Sequence, residues 1–382
     1  MTHATLTNLA RRACLAGLAA LALGAGAASA ADIKIGGLTF VTGKFSTYGQ
    51  DAAKGMKLGV EEVNASGGLL GRKLELDLQD TASESSQAAL LLRKFGASSD
   101  VVGVVGPTGT PDFLTVLPLT AQLKMPVVAM STQRMDHDKF SDWIVRVIQI
   151  ETPEVLTGML KYARDKRSAK KMAVLFARTN DFAQAQSKTL AGIPKANMPL
   201  DIVATESYAE GDKDFAAVLD KVLRAQPDLI WLAGSTAEVS LILQQARARQ
   251  YKGLFMGTSG VADPKIYQLS QGASQGLITM IPFDVDSSNP VMKKFVAAYR
   301  KANGEGPIGF YTAYSYDSVR LLADAIKRAG STDRDKVMKA LGQTKNFEGV
   351  TGVYSFNGKG DNASSAPYLV EVAQGGAQRA VR

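Results

Sequence analysis

The chain has 382 residues, a formal net charge of +8, 21% charged side chains, one cysteine and two histidines. That supply excludes a cysteine-based metal cluster or a histidine-rich centre. Lysines and arginines are spread along helical stretches with acidic residues between them, as in Lys54/Lys57, Arg164/Lys166/Arg167 and Lys293/Lys294, so no basic stripe with interleaved aromatics is available for nucleic acid.

The first thirty residues read as a secretory signal. Arg11 and Arg12 form a basic segment, 13–27 a short apolar run, and Ala28-Ser29-Ala30 a small-residue cleavage site ending near Ala30. The run is shorter than the ~20 apolar residues that a spanning helix needs. Cleavage there removes Cys14 with the leader and takes the net charge from +8 to +6. The expected product is an exported, thiol-free chain of about 350 residues, too long for one ordinary core and suited to two lobes. The paired arginines leave Sec and twin-arginine export both open.

After the leader, apolar runs bounded by Gly, Pro and Asp alternate with amphipathic stretches. Strands are expected over 33–38, 74–78, 101–105, 127–130, 172–176, 229–233, 254–256 and 277–281. Between them the spacing predicts helices over 50–64, 86–95, 111–123, 152–164, 182–191, 215–225, 237–249 and 264–269. Helices follow over 290–302, 311–329 and 334–341, and two last strands, over 352–356 and 367–372, flank the loop 357–361. Strict strand–helix alternation implies parallel sheets with helices on both faces. Two separate beginnings, near 33 and near 170, imply an α/β protein of two doubly wound, Rossmann-like lobes.

In open parallel sheets, ligands bind beyond the carboxyl ends of the strands. Two such sheets facing one another pool the loops 39–49, 106–110, 131–134, 177–181, 233–236 and 257–260. In Gly106-Pro107-Thr108-Gly109-Thr110-Pro111-Asp112, Thr110 is expected as a helix N-cap and Pro111 as the first helical residue. A helix start exposes unpaired amides and partial positive charge, which suits a carboxylate, although an ordinary capped helix reads the same way. Ser131-Thr132-Gln133 either contacts a ligand or caps the next segment. Tyr48, Phe45 and Phe182 either wall a pocket or pack in the core. Ser235, Ser259 and Asp284 are polar candidates on the opposite rim.

Catalytic constellations are missing from the sequence. Past the leader the one histidine is His137, in the polar stretch Asp136-His137-Asp138, and there is no nucleophile elbow, Walker loop or dinucleotide fingerprint. No cofactor, metal or catalytic residue is expected.

Several motifs spread over the chain are familiar together. They are Ile33-Lys34-Ile35-Gly36, Tyr48-Gly49, Glu62-Val63-Asn64-Ala65-Ser66-Gly67-Gly68 followed by Gly71-Arg72-Lys73-Leu74, Asp80, Val104-Val105-Gly106-Pro107, Gln245-Ala246-Arg247, Phe255-Met256-Gly257 and Tyr314-Ser315-Tyr316-Asp317. In these the chain resembles the leucine/isoleucine/valine-binding proteins of bacterial ABC importers, which have the type I periplasmic-binding fold. The resemblance implies three hinge crossings, near 150, 282 and 356. The first lobe then comprises 31–150 plus 283–356 and the second 151–282 plus 357–382. It also implies a ligand carboxylate held at Thr110 and at Ser131 to Gln133, with Tyr48 and Phe182 as pocket aromatics. The family's acid for an amino group falls at Ser259. Either another carboxylate such as Asp284 substitutes, or the ligand carries no ammonium; a buried ammonium without a counter-charge loses ~1.5–3 kcal/mol.

The expectation is a periplasmic, non-enzymatic substrate-binding protein that closes on a small carboxylate-bearing solute and delivers it to ABC permease subunits. A branched-chain or other apolar amino acid is the first choice of solute and an amine-free, for instance aromatic, carboxylate the alternative. A ligand sensor serving a separate signalling partner is the alternative role.

Overall fold

The computed structural model describes residues 31–130, 141–148, 151–356, 358, 360–362 and 368–381. The leader, Ser131, Gln133, His137 and position 150 lie outside the described residues.

From Ile33 onward the alternation is realised. β1 (Ile33–Thr39), α1 (Ser46–Ala65), β2 (Leu74–Asp80), α2 (Ser85–Ala97), β3 (Val101–Thr108), α3 (Thr110–Gln122), β4 (Val127–Met130) and β5 (Ile144–Arg146) follow in order. Their strands form a parallel sheet of order β2-β1-β3-β4-β5. A second series begins with α4 (Pro153–Arg167), β6 (Lys171–Ala177), α5 (Asp181–Ala191), β7 (Asp201–Tyr208) and α6 (Ala216–Arg224). It continues through β8 (Leu229–Ala233), α7 (Thr236–Ala248), β9 (Leu254–Met256), α8 (Ile266–Leu269) and β10 (Ile278–Ile281).

The chain then runs through α9 (Pro290–Asn303), α10 (Phe310–Ala329) and α11 (Arg334–Gly342) to the hairpin of β11 (Phe347–Gly349) and β12 (Gly352–Tyr354). It ends with β13 (Tyr368–Val372) and β14 (Gln378–Ala380), which extend the second sheet to the order β14-β13-β10-β9-β8-β6-β7. β13 is antiparallel to β10, and β14 to β13.

Central strands read as unbroken apolar runs because both of their faces are covered. Every residue of β3, β4 and β8 is buried. On one face of the first sheet Met56, Phe295, Tyr316, Leu322 and Val337 share a core, so the helices after β10 return to that sheet. Its other face is packed by Leu92, Phe95, Phe113 and Leu117. A separate core surrounds Leu175, Trp231, Ile242 and Phe255 of the second sheet.

Four strands depart from the expected pattern. β7 pairs only with β6 at the sheet edge and is mostly half-buried, so Asp201 to Tyr208 mixes polar and apolar residues and hides the run that marks inner strands. β5, β11 and β14 have three residues each, too short for an alternation to show.

One polar tie fastens the return path. Arg146, fully buried on β5, donates from Nε to Asp361 at 2.8 Å, with Nη2 also 2.6 Å from that carboxylate. The Arg146 amide donates to the Gly360 carbonyl at 2.7 Å.

Candidate functional site

Each sheet contains a topological switch: β1 lies between β2 and β3, and β6 lies between β7 and β8. At such a point neighbouring strands send their helices to opposite faces, leaving a crevice beyond the strand ends. The loops after β1, β3, β6 and β8 meet in a single cavity. Phe40, Phe45 and Tyr48 follow β1; Gly109, Thr110 and Pro111 follow β3; Asn180 and Phe182 follow β6; Gly234 and Ser235 follow β8. The turn after β9 adds Ser259 and Gly260, and the start of α10 adds Phe310 and Tyr311. The cavity has a volume of about 70 Å³. The walls therefore stand close together.

Thr110 is in the wall, although one step along from its expected position. Gly109 takes φ 88° and ψ 164° and serves as the N-cap, so the helix begins at Thr110 itself. Only glycine adopts that conformation readily, and the sequence pattern of Thr followed by Pro concealed it. Because Pro111 has no N–H, the amides offered at this helix start are those of Thr110 and Asp112.

Aromatic rings form most of the remaining wall. Tyr48 meets Tyr311 edge-on at 5.8 Å, Tyr311 lies 4.3 Å from Phe310, and Phe40 lies 5.4 Å from Phe45. The Tyr48 hydroxyl reaches across the cavity: it accepts from the Thr236 amide at 3.0 Å, lies 2.7 Å from Thr236 Oγ1, and donates to the Gly260 carbonyl at 3.1 Å. Burial pushes its phenol well above the ordinary tyrosine value, so it stays a neutral hydroxyl. Gly260 is needed for this approach, since a Cβ there would come within 2.7 Å of the Phe182 ring and 2.9 Å of the Gly234 carbonyl. At the rim, Lys44 pairs with Glu210 at 3.2 Å. Glu210 also accepts from Asn180 at 2.8 Å.

Behind Ser259 stands a carboxylate that sequence reasoning did not single out. Glu151 is 4% exposed and accepts from Ser259 Oγ at 2.8 Å and from Gln186 Nε2 at 2.7 Å. Gln186 in turn accepts from Trp231 Nε1 at 2.8 Å. Burial raises the Glu151 carboxyl above its usual range, against the pull of hydrogen bonds from Thr258, Ser259 and Gln186. Glu151 lies in the link after β5, a strand too short to be expected from the sequence, so the expected strand-end loops do not include it. Its one available signal is an acidic residue immediately before the Thr152-Pro153 helix start. Phe310 and Tyr311 were missed because they begin α10, which follows a helix and not a strand.

Five of the eight residues expected at the site, Tyr48, Thr110, Phe182, Ser235 and Ser259, line this cavity. Ser131 and Gln133 lie outside the described residues. The structure does not bring Asp284 to this cavity: it lines other pockets, beside Phe283, Ser287 and Tyr368. It follows β10, which lies three strands from β6, or roughly 14 Å at the usual strand spacing. A charge there is too far along the sheet to face the switch point.

Among the described residues there is no group of three or more His, Cys, Asp and Glu placed to hold a metal ion, and no helix long and apolar enough to cross a membrane.

Comparison with known proteins adds a family. Residues 32–377 match the profile of the family described as periplasmic binding protein. The leucine-, isoleucine-, valine-, threonine- and alanine-binding protein of Pseudomonas aeruginosa is 27% identical over 332 residues, covering 84% of each chain. The solved leucine-binding protein LivK of Thermotoga maritima aligns with a TM-score of 0.84 at 27% identity, over 92% of this chain and 98% of that one. The branched-chain amino acid binding protein LivJ of Streptococcus pneumoniae, solved with isoleucine, gives a TM-score of 0.84 at 27% identity, over 92% and 99% of the two chains.

Proposed function

Because the chain belongs to the periplasmic binding protein family, we propose that it is the periplasmic substrate-binding component of an ABC importer, taking a small carboxylate-bearing solute between its two lobes. The first choice is a branched-chain or other apolar amino acid. The observation that carries this reading is the cavity at the meeting of both switch points, walled by aromatics and open to the start of α3. Thr110 and the amides of that helix start would hold the carboxylate, while Tyr48, Phe182 and Phe310 would enclose the apolar part. Ser131 and Gln133 would add a hydroxyl and an amide.

The lobes, 31–150 plus 283–356 and 151–282 plus 357–382, would close on the solute as a clamshell. A ligand that touches both lobes favours the closed form by the difference in its affinity for the two states. The cross-cavity bonds of Tyr48 and the Lys44–Glu210 pair support such a closed form. Permease subunits would receive the solute; nothing in this scheme alters it covalently.

Ser259, at the position of the family's acid, favours a second reading in which the solute is an amine-free carboxylate. Thermal-shift screening of the purified protein separates the two. Ligand at one hundred times its Kd stabilises by about 2.7 kcal/mol. Stabilisation by leucine or valine supports the first reading, and stabilisation only by amine-free acids the second. If no carboxylic solute raises the melting temperature, the binding role fails.

A further inference from the structure

The acidic residues around the cavity are not equivalent. Glu210 is paired with Lys44. Glu238 lies in the first turn of α7 and accepts from the Gly211 amide at 3.0 Å, so the helix start and a backbone donor offset its charge. Asp112 lies in the first turn of α3 but is bonded to Ser85. Asp263 accepts from the Lys265 amide at 2.8 Å.

Glu151 differs. The partners that hold it among the described residues are the uncharged donors Ser259, Gln186 and Thr258, and it is buried against them. An ionised carboxylate removed from water and met only by neutral donors is costly. That arrangement is stable when a cation arrives from elsewhere. It is also placed to meet one, because Ser259 both lines the cavity and donates to Glu151. Tyr311, another wall residue, is close enough to Glu151 to have its phenol pushed up partly by that charge. The Trp231–Gln186 bond fixes the amide that orients the carboxylate.

We propose that Glu151 supplies the negative charge that selects solutes carrying a primary ammonium group, presented to the cavity at Ser259. The inference rests on the solute-binding reading and narrows it to α-amino acids. It places at position 151, beside the link between the two sheets, the charge that position 259 lacks. The ammonium would stand at the Ser259 wall with its carboxylate toward Thr110, which leaves the side chain among the aromatics.

The test pairs amino acids with their amine-free counterparts: leucine with 4-methylpentanoate, valine with 3-methylbutanoate and phenylalanine with 3-phenylpropanoate. Each is titrated calorimetrically into the wild-type chain and into Glu151→Gln, which keeps the shape and removes the charge. The expected result is that the wild type prefers the amino member of a pair. In the variant that amino acid should lose tenfold or more in affinity, while the amine-free acid is unchanged or tighter and the melting temperature without ligand is kept or raised. Loss of a charge-assisted bond supports that magnitude. Glu151→Asp should recover part of the preference, which a merely structural role does not predict. Equal affinity of variant and wild type for the amino acid overturns the assignment, as does an equal loss for both members of a pair. A wild type that prefers amine-free acids overturns Glu151 as selector and leaves the binding role intact. A wild type that binds none of the six overturns the solute reading and the assignment together.

Discussion

The phenolic oxygen of Tyr48 lies 2.7 Å from the hydroxyl of Thr236, joining the first helix beside one sheet to the start of α7 beside the other. It also serves the Thr236 amide and the Gly260 carbonyl. Tyr48→Phe strands both backbone groups in the proposed closed form, whereas in the opened form of that proposal water would satisfy them. Each buried orphan costs about 1–3 kcal/mol, so solute affinity should fall about tenfold or more while the melting temperature without ligand changes little. Calorimetric titration of both proteins checks this; an undiminished affinity would separate Tyr48 from closure.

Thr110 begins α3 inside the cavity wall. Thr110→Val keeps the side-chain volume and removes the hydroxyl, so binding of any carboxylate-bearing solute should weaken by roughly 1.5–3 kcal/mol, the value of a hydrogen bond to a charged group. Circular dichroism should show an unchanged fold. Unaltered affinity would reject the helix start as the carboxylate site.

Buried ionic contacts away from the cavity make a different prediction. Asp361 bonds the fully buried Arg146, whose guanidinium also lies 5.7 Å from the Phe113 ring centre. Asp361→Asn takes away a charge that offsets that guanidinium. Breaking such a pair costs about 3–5 kcal/mol, to be read from urea unfolding at constant pH. A loss below about 1 kcal/mol, the value of an exposed pair, would show that water reaches the site.

These residues divide by how much of their role the sequence carries. The strands β3, β4 and β8 are legible because burial on both faces leaves an unbroken apolar run, and the strand-end rule then points to Tyr48, Thr110 and Ser235 without knowledge of side chains. Phe310, Tyr311 and Glu151 are not legible by that rule: Phe310 and Tyr311 begin a helix that follows another helix, and Glu151, which stands behind Ser259, follows β5, whose three residues do not show in the sequence. Asp284 is misplaced by it, because distance along the sheet depends on the strand order, which the sequence alone does not reveal. Asp317 shows a further limit. It stands out in Tyr314-Ser315-Tyr316-Asp317, yet its part is to accept from the Val350 and Thr351 amides, both at 2.9 Å, at the turn between β11 and β12. Of that hairpin the sequence shows the second strand, within 352–356, while the first, Phe347–Gly349, is too short to be read.

Protonation ties stability to pH through carboxyls that burial has raised. Asp263 is 3% exposed and is pushed up to about 6 by burial, with Asp51 adding to the rise and the amide and charge of Lys265 opposing it. Asp112, 1% exposed, is also raised to about 6 by burial, with a smaller push from Glu84. Burial raises Glu151 and Asp317 in the same sense. A raised carboxyl binds its proton more tightly in the folded chain than in the unfolded one. For Asp263 and Asp112 the stabilising contribution is therefore complete below about pH 4 and is lost as pH rises through about 6. For Asp263 the loss by pH 7 amounts to roughly 3 kcal/mol. Carboxyls held low, such as Asp80 and Asp228, act with the opposite sign but only below their ordinary range. Between pH 7 and pH 5 the raised groups thus dominate, and the protein should become more resistant to urea as the solution is acidified. Asp263→Asn removes one of the buried charges, so it should be the more stable protein at pH 7 and show a shallower gain on acidification. Urea titrations of both proteins at pH 5, 6 and 7 measure the difference; equal slopes would show that Asp263 is ionised with its ordinary affinity for protons.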